Sequence, residues 1–325
     1  MKILSWSLIG SLAIPFLASC VTDESTAGQA AEASSAAAVE TSATRVPGYF
    51  NHSYGIMSPA TVSAFASNAY LNNQFIDVEI RTTVRPDMTY TGTYLNTRET
   101  YLEFFPDGTF GWPVGVTGLA LGDEVEGGID VVKDEWIKAF GADQVDAVDL
   151  TSREVNGVVV PWFYSTAPVW GDVSAFTGLW AMQYVPNPNS TAPRTRHEER
   201  AARYQPAKLA QNVQAIIYGL PDGDLQNMQL TLSSVGWSVA PVNGGFIAVS
   251  PLDTGTRRVV FVEPAVEGRT GMLAVIWRLN RATAAHTEQV GDAVLTVAPG
   301  GAPYASLWFV PAVPTDETRV LAAAR

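Results

Sequence analysis

The sequence holds three histidines, His52, His197 and His286, and one cysteine, Cys20. His197-Glu198-Glu199-Arg200-Ala201 opens like a zinc-protease helix, but that motif needs a second histidine where Ala201 stands. His286-Thr287-Glu288 would turn both side chains to one face of a strand, yet its polar setting reads as a loop between strands. No Gly-x-Ser-x-Gly elbow, Walker loop or Gly-x-Gly-x-x-Gly cradle occurs. Glu103, Asp149, Glu154 and Glu263 lie near strands. A carboxylate pair about 5–9.5 Å apart could cleave glycosidic bonds, but nothing in the sequence selects two of them. No catalytic residue, metal site or cofactor is therefore assigned.

Aromatic residues offer binding chemistry instead. Trp162, Phe163, Tyr164 and Trp170 fall close together, with Trp180 and Tyr184 soon after. In a strand, Trp162 and Tyr164 share one face and Phe163 takes the other. The plainer reading of such rings is core packing. The sharper one is ligand stacking, for which Trp162, Tyr164, Trp170 and Trp180 are the candidates.

The N-terminus carries the most specific signal. Lys2 is followed by an apolar stretch, Ile3 to Phe16, too short for a confident membrane span. It ends in Leu17-Ala18-Ser19-Cys20, which resembles the lipobox of bacterial lipoproteins at all four positions. The resemblance implies a diacylglyceryl thioether on Cys20, cleavage before it, and a membrane lipid anchor in the cell envelope. Val21 is not the aspartate associated with inner-membrane retention, so the resemblance implies the outer membrane in a Gram-negative cell. With Cys20 the only cysteine, no internal disulfide is available.

Residues 21–45 hold eight Ala, eight Ser or Thr and no aromatic residue. Such a segment cannot bury enough apolar surface to offset ordering, and reads as a disordered tether. Its r.m.s. reach is about 25–30 Å. The formal charge of the chain is −12, concentrated between Asp123 and Asp149, which disfavours nucleic acid as a partner. Arg194, Arg196, Arg200, Arg203 and Lys208, with Glu198 and Glu199, read as a salt-bridged helix face.

The elements that would position these residues are mostly strands. Residues 75–81 alternate with period two. Pro106-Asp107-Gly108 predicts a hairpin between 101–105 and 109–112, and Asn156-Gly157 a second one. Further strands are expected at 228–235, 245–249, 257–262, 272–279, 293–297 and 305–310. Helices are expected from Pro59 to about Leu71, at 132–140 ending on Gly141, and from a Thr195–Glu198 capping box to about Tyr218. No internal repeat is visible. Thr177-Gly178-Leu179-Trp180 resembles the Gly-x-Trp start of lipocalin-type barrels.

The reading is a mainly β protein, an antiparallel sandwich or barrel with a few short helices. Its expected parts are a signal peptide (1–19), lipidated cysteine and tether (20–45), two β-rich domains or subdomains (46–176 and 177–318) and a tail (319–325). The expected function is non-catalytic binding of a ligand, a glycan or an envelope protein. Its rivals are an envelope hydrolase using paired carboxylates and a structural assembly subunit.

Overall fold

The computed structural model describes residues 48–170, 176–251 and 256–324. Cys20, the lipobox and the tether lie outside the described residues.

The chain runs through the same strand pattern four times. The first pass is β1 (Tyr49–Met57), α1 (Pro59–Ser67), β2 (Asp77–Val84), β3 (Thr89–Asn96) and β4 (Tyr101–Pro106). The second is β5 (Thr117–Gly122), α2 (Gly128–Phe140), β6 (Asp149–Val155), β7 (Val158–Thr166) and β8 (Phe176–Tyr184). A link carrying α3 (Arg196–Arg200) leads to the third: β9 (Ala210–Leu220), α4 (Asp222–Ser234), β10 (Ser238–Val242), β11 (Gly245–Val249) and β12 (Val259–Pro264). The fourth is β13 (Gly271–Leu279), β14 (His286–Val290), β15 (Ala293–Val297) and β16 (Tyr304–Trp308), and α5 (Pro314–Ala323) ends the chain.

The passes pair into two eight-stranded sheets, ordered β2-β3-β4-β1-β5-β8-β7-β6 and β10-β11-β12-β9-β13-β16-β15-β14. The second order repeats the first, so an internal repeat exists that the sequence hides. The protein is mainly β, as expected, but the sheets are mixed rather than antiparallel. β1 with β4, β5 with β8, and β9 with β12 are parallel pairs. Each follows from a helical crossover between the first and second strands of its pass, because only a long connection returns the chain in the same direction. The fourth pass has only residues 280–285 at that point. So short a link can only reverse the chain, and β13 pairs β16 antiparallel.

Several expected elements are revised. Thr109–Gly111 is a 3-10 turn, not a returning strand, and β4 pairs with β3 and β1. The helix opened by the Thr195 capping box stops at Arg200, and residues 210–220 are the central strand β9. Nearly every residue of β9 is buried, so it carries no alternation to distinguish it from a helix. Met228 lies in α4, not in a strand, and much of the expected tail is α5. The lipocalin-like Gly178-Leu179-Trp180 lies in β8, within the first sheet rather than at the head of a barrel. The domain boundary expected at 176/177 also falls in β8; the strands of the first sheet run from Tyr49 to Tyr184.

Other signals match. Ser58 caps α1 by accepting from Thr61 N–H, and Gly141 ends α2 at φ 94°. Asn156 and Gly157, at φ 52° and 79°, make the tight β6–β7 hairpin.

One core joins the sheets. Phe65 of α1, Trp136 of α2 and Met228 of α4 are buried with Leu119 and Leu179 of the first sheet and Ile216 and Val275 of the second. Trp136 Nε1 donates to Thr231 O at 3.2 Å, tying α2 to α4. The fourth pass lacks a helix, and α1 covers its outer hairpin instead. Thr61 Oγ1 accepts from Asp292 N–H at 3.0 Å, and Asn68 Nδ2 donates to Glu288 Oε1 at 2.8 Å.

Candidate functional site

Each sheet has a second face, turned away from the shared core, and the two faces differ. In the second sheet Ile217, Phe261, Ile276 and Trp308 cluster with Val320 of α5, so the C-terminal helix covers that face. In the first sheet the equivalent face is open. Its outermost strands β2 and β6 approach one another, curling the sheet around a cavity of about 660 Å³. That volume suits a small organic molecule.

The cavity floor comes from the central strands. Period two puts His52 and Tyr54 of β1 and Tyr101, Glu103 and Phe105 of β4 on this face. The parallel register sets His52 beside Tyr101 and Tyr54 beside Glu103. The facing strands contribute small or apolar groups. Ala120 packs with Met182, and a Cβ on Gly118 would lie 2.5 Å from Tyr54 Cε1. Gly118 is therefore the space into which the Tyr54 ring fits.

Rings make the walls. Tyr54 lies nearly parallel to Trp112, centroids 5.8 Å apart, and 5.7 Å from Trp180. Phe110 and Tyr90 lean edge-on against Phe105 at 5.2 and 5.8 Å. His52 stacks on Tyr101 at 4.3 Å and meets Trp180 edge-on at 5.3 Å.

Of the four candidate aromatics, the structure brings Trp162 and Trp180 to the cavity. Tyr164 and Trp170 pack against the shared core instead. Trp162 and Tyr164 thus lie on opposite faces, against the expected alternation. The cause is a β-bulge: Thr151 pairs Phe163 while Ser152 pairs Pro161, leaving Trp162 as the extra residue. Trp162 and Phe163 both line the cavity as a result.

The polar groups were only partly legible. Glu103 and Asp149, two of four unranked carboxylates in the sequence, both line the cavity. Burial pushes the Glu103 carboxyl up to about 7, against the pull of Arg81, Arg200 and a Tyr101 hydrogen bond. His52 is held well below its ordinary value by burial, and by repulsion from Arg200 and Arg81, so it is neutral near pH 7. The two groups are a carboxyl poised to give or take a proton and an imidazole without charge. Asn51 Oδ1 lies 3.0 Å from His52 Nδ1 and fixes the ring.

The basic residues read as a salt-bridged helix face do form ion pairs, but two of them are not on the surface. Arg196 and Arg200 are fully buried. Arg200 sits 4.0 Å over the Tyr101 ring, and its NH1 donates to Asn96 Oδ1 at 3.3 Å. Arg81 lies 3.8 Å over Tyr94, and Arg153 4.6 Å over Trp162. Arg194 and Arg153 reach Glu199 at 2.9 and 3.7 Å, and Arg203 reaches Glu79 at 2.7 Å. Through Arg153–Glu199 and Arg203–Glu79, α3 and the residues after it are tied to β6 and β2, the two strands that close the cavity. His286 proves to lie in β14, its Nε2 2.9 Å from Glu288 Oε2, far along the chain from the cavity strands. Among the described residues, no group of three His, Cys, Asp or Glu side chains converges to hold a metal.

Comparison with known proteins places the fold. The chain belongs to a family of unknown function, DUF5829, whose model matches residues 50–308. No curated protein matches the chain. A hypothetical protein from Staphylococcus aureus has a similar structure, with TM-score 0.51 and 12% identity over 76% of this chain and 97% of that one. At that identity the similarity is one of fold alone. Homoprotocatechuate 2,3-dioxygenase from Arthrobacter globiformis matches at TM-score 0.34 and 14% identity, over 68% of this chain and 60% of that one. A mutant 4-hydroxymandelate synthase from Streptomyces coelicolor matches at TM-score 0.36 and 13% identity, over 66% and 63%. Likenesses that low carry no conclusion about chemistry.

Proposed function

We propose that this protein is a lipid-anchored envelope protein whose first sheet binds a small organic molecule in the cavity above His52 and Glu103. The observation that carries the binding reading is the difference between the two sheets. One outer face is covered by α5, while its counterpart is left open and lined with rings. An open apolar cavity with a few convergent polar groups is the usual form of a ligand site. The anchor rests on the Leu17-Ala18-Ser19-Cys20 lipobox and the tether after it.

Two experiments test this reading. Native mass spectrometry of the full-length protein from its producing cells should show a co-purifying small molecule. Trp180→Leu should reduce its occupancy without loss of the folded state. A protein that carries no such molecule, and binds none in a broad metabolite screen, would sink the ligand-binding claim. Mass spectrometry of the mature N-terminus should find Cys20 lipidated and first in the chain. An unmodified Cys20 would remove the anchor.

A second reading, an envelope hydrolase acting through paired carboxylates, is favoured by the presence of Glu103 and Asp149 in one cavity. It predicts that Glu103→Gln abolishes turnover of a bound molecule while leaving its binding intact.

A further inference from the structure

Resting on the ligand-binding reading, we infer that the cavity selects an organic cation: an ammonium or quaternary ammonium group carried on a flat apolar body.

The first argument is the charge left at the wall. Only Arg85, Glu103 and Asp149 among the lining residues carry ordinary acid or base charges besides His52. Arg85 is cancelled at the rim, since its Nε and NH2 grip Asp87 at 3.0 and 2.9 Å. The charges remaining on the wall itself are therefore two acids, Glu103 and Asp149; Arg81 and Arg200, which act on Glu103 and His52 from behind the wall, are themselves set against Glu79 and Glu199 at 3.5 and 4.0 Å. The buried guanidiniums of Arg81 and Arg200 do not line the cavity; each is seated on a ring, Tyr94 or Tyr101.

The second argument is the rings themselves. The faces of Trp, Tyr and Phe attract cations, most strongly where water is excluded. This wall already uses that chemistry structurally, holding Arg81, Arg153 and Arg200 at 3.8–4.6 Å from ring centroids. On the cavity side Tyr54, Trp112 and Trp180 form a connected group next to Glu103, and among the described residues no arginine or lysine is seated over their faces. An ammonium group supplies the missing partner. The cavity of about 660 Å³ has room for a larger body attached to it.

The test uses the full-length protein and three probes, followed by calorimetry and tryptophan fluorescence. They are benzyltrimethylammonium, its uncharged isostere neopentylbenzene, and benzoate. The cation should bind at least tenfold more tightly than either of the others. Glu103→Gln should weaken the cation three- to tenfold and leave the isostere unchanged. Should that variant fail to fold, the wild type gives the same information through pH. Cation affinity should rise from pH 6 to 8 as Glu103 ionises. The other groups facing Glu103 hold their charge over that range. Arg81 on β2 and Arg200 on α3 stay protonated, Tyr90 and Tyr94 on β3 and Tyr101 on β4 are pushed up, as is Tyr54 on β1, and His52 stays neutral. Isostere or benzoate binding as tight as the cation would overturn the charge selection and leave the binding site standing. Binding of none of the three would overturn the selection; the co-purification experiment decides the binding site separately.

Discussion

Arg258 and Glu99 meet 3.3 Å apart, both buried, across the seam between the two sheets. Glu99 sits in the turn from β3 to β4, and Arg258 immediately before β12. Asn212 of β9 accepts from the Glu99 backbone N–H at 2.9 Å and donates to its carboxylate at 3.3 Å. A turn of one sheet is thus docked on the centre of the other by a charge pair. Removing Glu99 takes the carboxylate away from buried Arg258 and from Arg98, which also reaches it at 2.8 Å. Glu99→Ala should cost about 3–5 kcal/mol, and Glu99→Leu with Arg258→Met should cost less than either change alone. Denaturant unfolding of Glu99→Ala, of the Glu99→Leu and Arg258→Met single variants and of their double checks both statements.

Stability should depend on pH through Glu103. Its folded carboxyl titrates at about 7 and its unfolded one in the ordinary range, so the folded state binds the extra proton in between. The fold therefore loses stability as pH rises through that window, and the loss is complete above about 7. Glu103→Gln cannot ionise. Its stability relative to the wild type should rise between pH 5 and 7 and level off above, by a few kcal/mol in all. His52 works in the opposite direction: held neutral in the fold, it takes up a proton more readily when unfolded, and destabilises the fold as pH falls below 6.5. His52→Asn should remove that acid limb. Urea unfolding at a series of pH values separates the two effects.

Two glycines should differ sharply in their tolerance of alanine. At Gly118 the atoms nearest a Cβ all belong to the outer end of the Tyr54 ring, which can shift, and the cost should be about 1–3 kcal/mol with a change in tryptophan fluorescence. At Gly271 the backbone has φ 84°, and a Cβ would lie 1.9 Å from the Gly115 carbonyl oxygen. There both strain and backbone contact act, and Gly271→Ala should give little folded protein. Thermal melts and soluble yield compare them.

Ending the chain at Val313 should expose the face that α5 covers. Ile217, Phe261 and Trp308 would lose their cover, and hydrophobic dye binding and aggregation should both increase. Val320→Ala, which leaves the helix in place, should cost about 1–3 kcal/mol. A truncated protein that stays monomeric and binds no dye would show the cover to be dispensable.

Local chemistry was the legible part of this sequence. Ser58 before Pro59, the Thr195–Glu198 box, Gly141 and Asn156-Gly157 each fix a backbone conformation through a few neighbouring residues, and each is found in its expected place. Of the four rings that chemistry alone selects, Trp162 and Trp180 lie at the cavity, and Tyr164 and Trp170 lie against the shared core. What could not be read depends on partners distant in the chain. The bulge at Trp162 is a mismatch with β6, invisible from β7 alone. Glu103 differs from Glu154 and Glu263 by its burial among the rings and arginines that distant strands and α3 bring to it. Arg200 became structural because Tyr101 and Asn96, about a hundred residues earlier, lie beside it. The fourfold pattern is one of strand order and connection, which leaves no repeated residues to detect.

The short β13–β14 link has a kinetic consequence. The last quarter of the chain has no helix between its first two strands and packs its hairpin on α1, and Asp292 binds Thr61 across 231 positions of sequence. Contacts of such span close large loops, and loop closure slows folding. The outer hairpin of the second sheet should therefore settle late, once the first helix has docked against it. Separate synthesis of residues 46–184 and 185–325 should leave the second fragment with an unprotected β14–β15 hairpin in hydrogen exchange, and mixing the two should restore its protection.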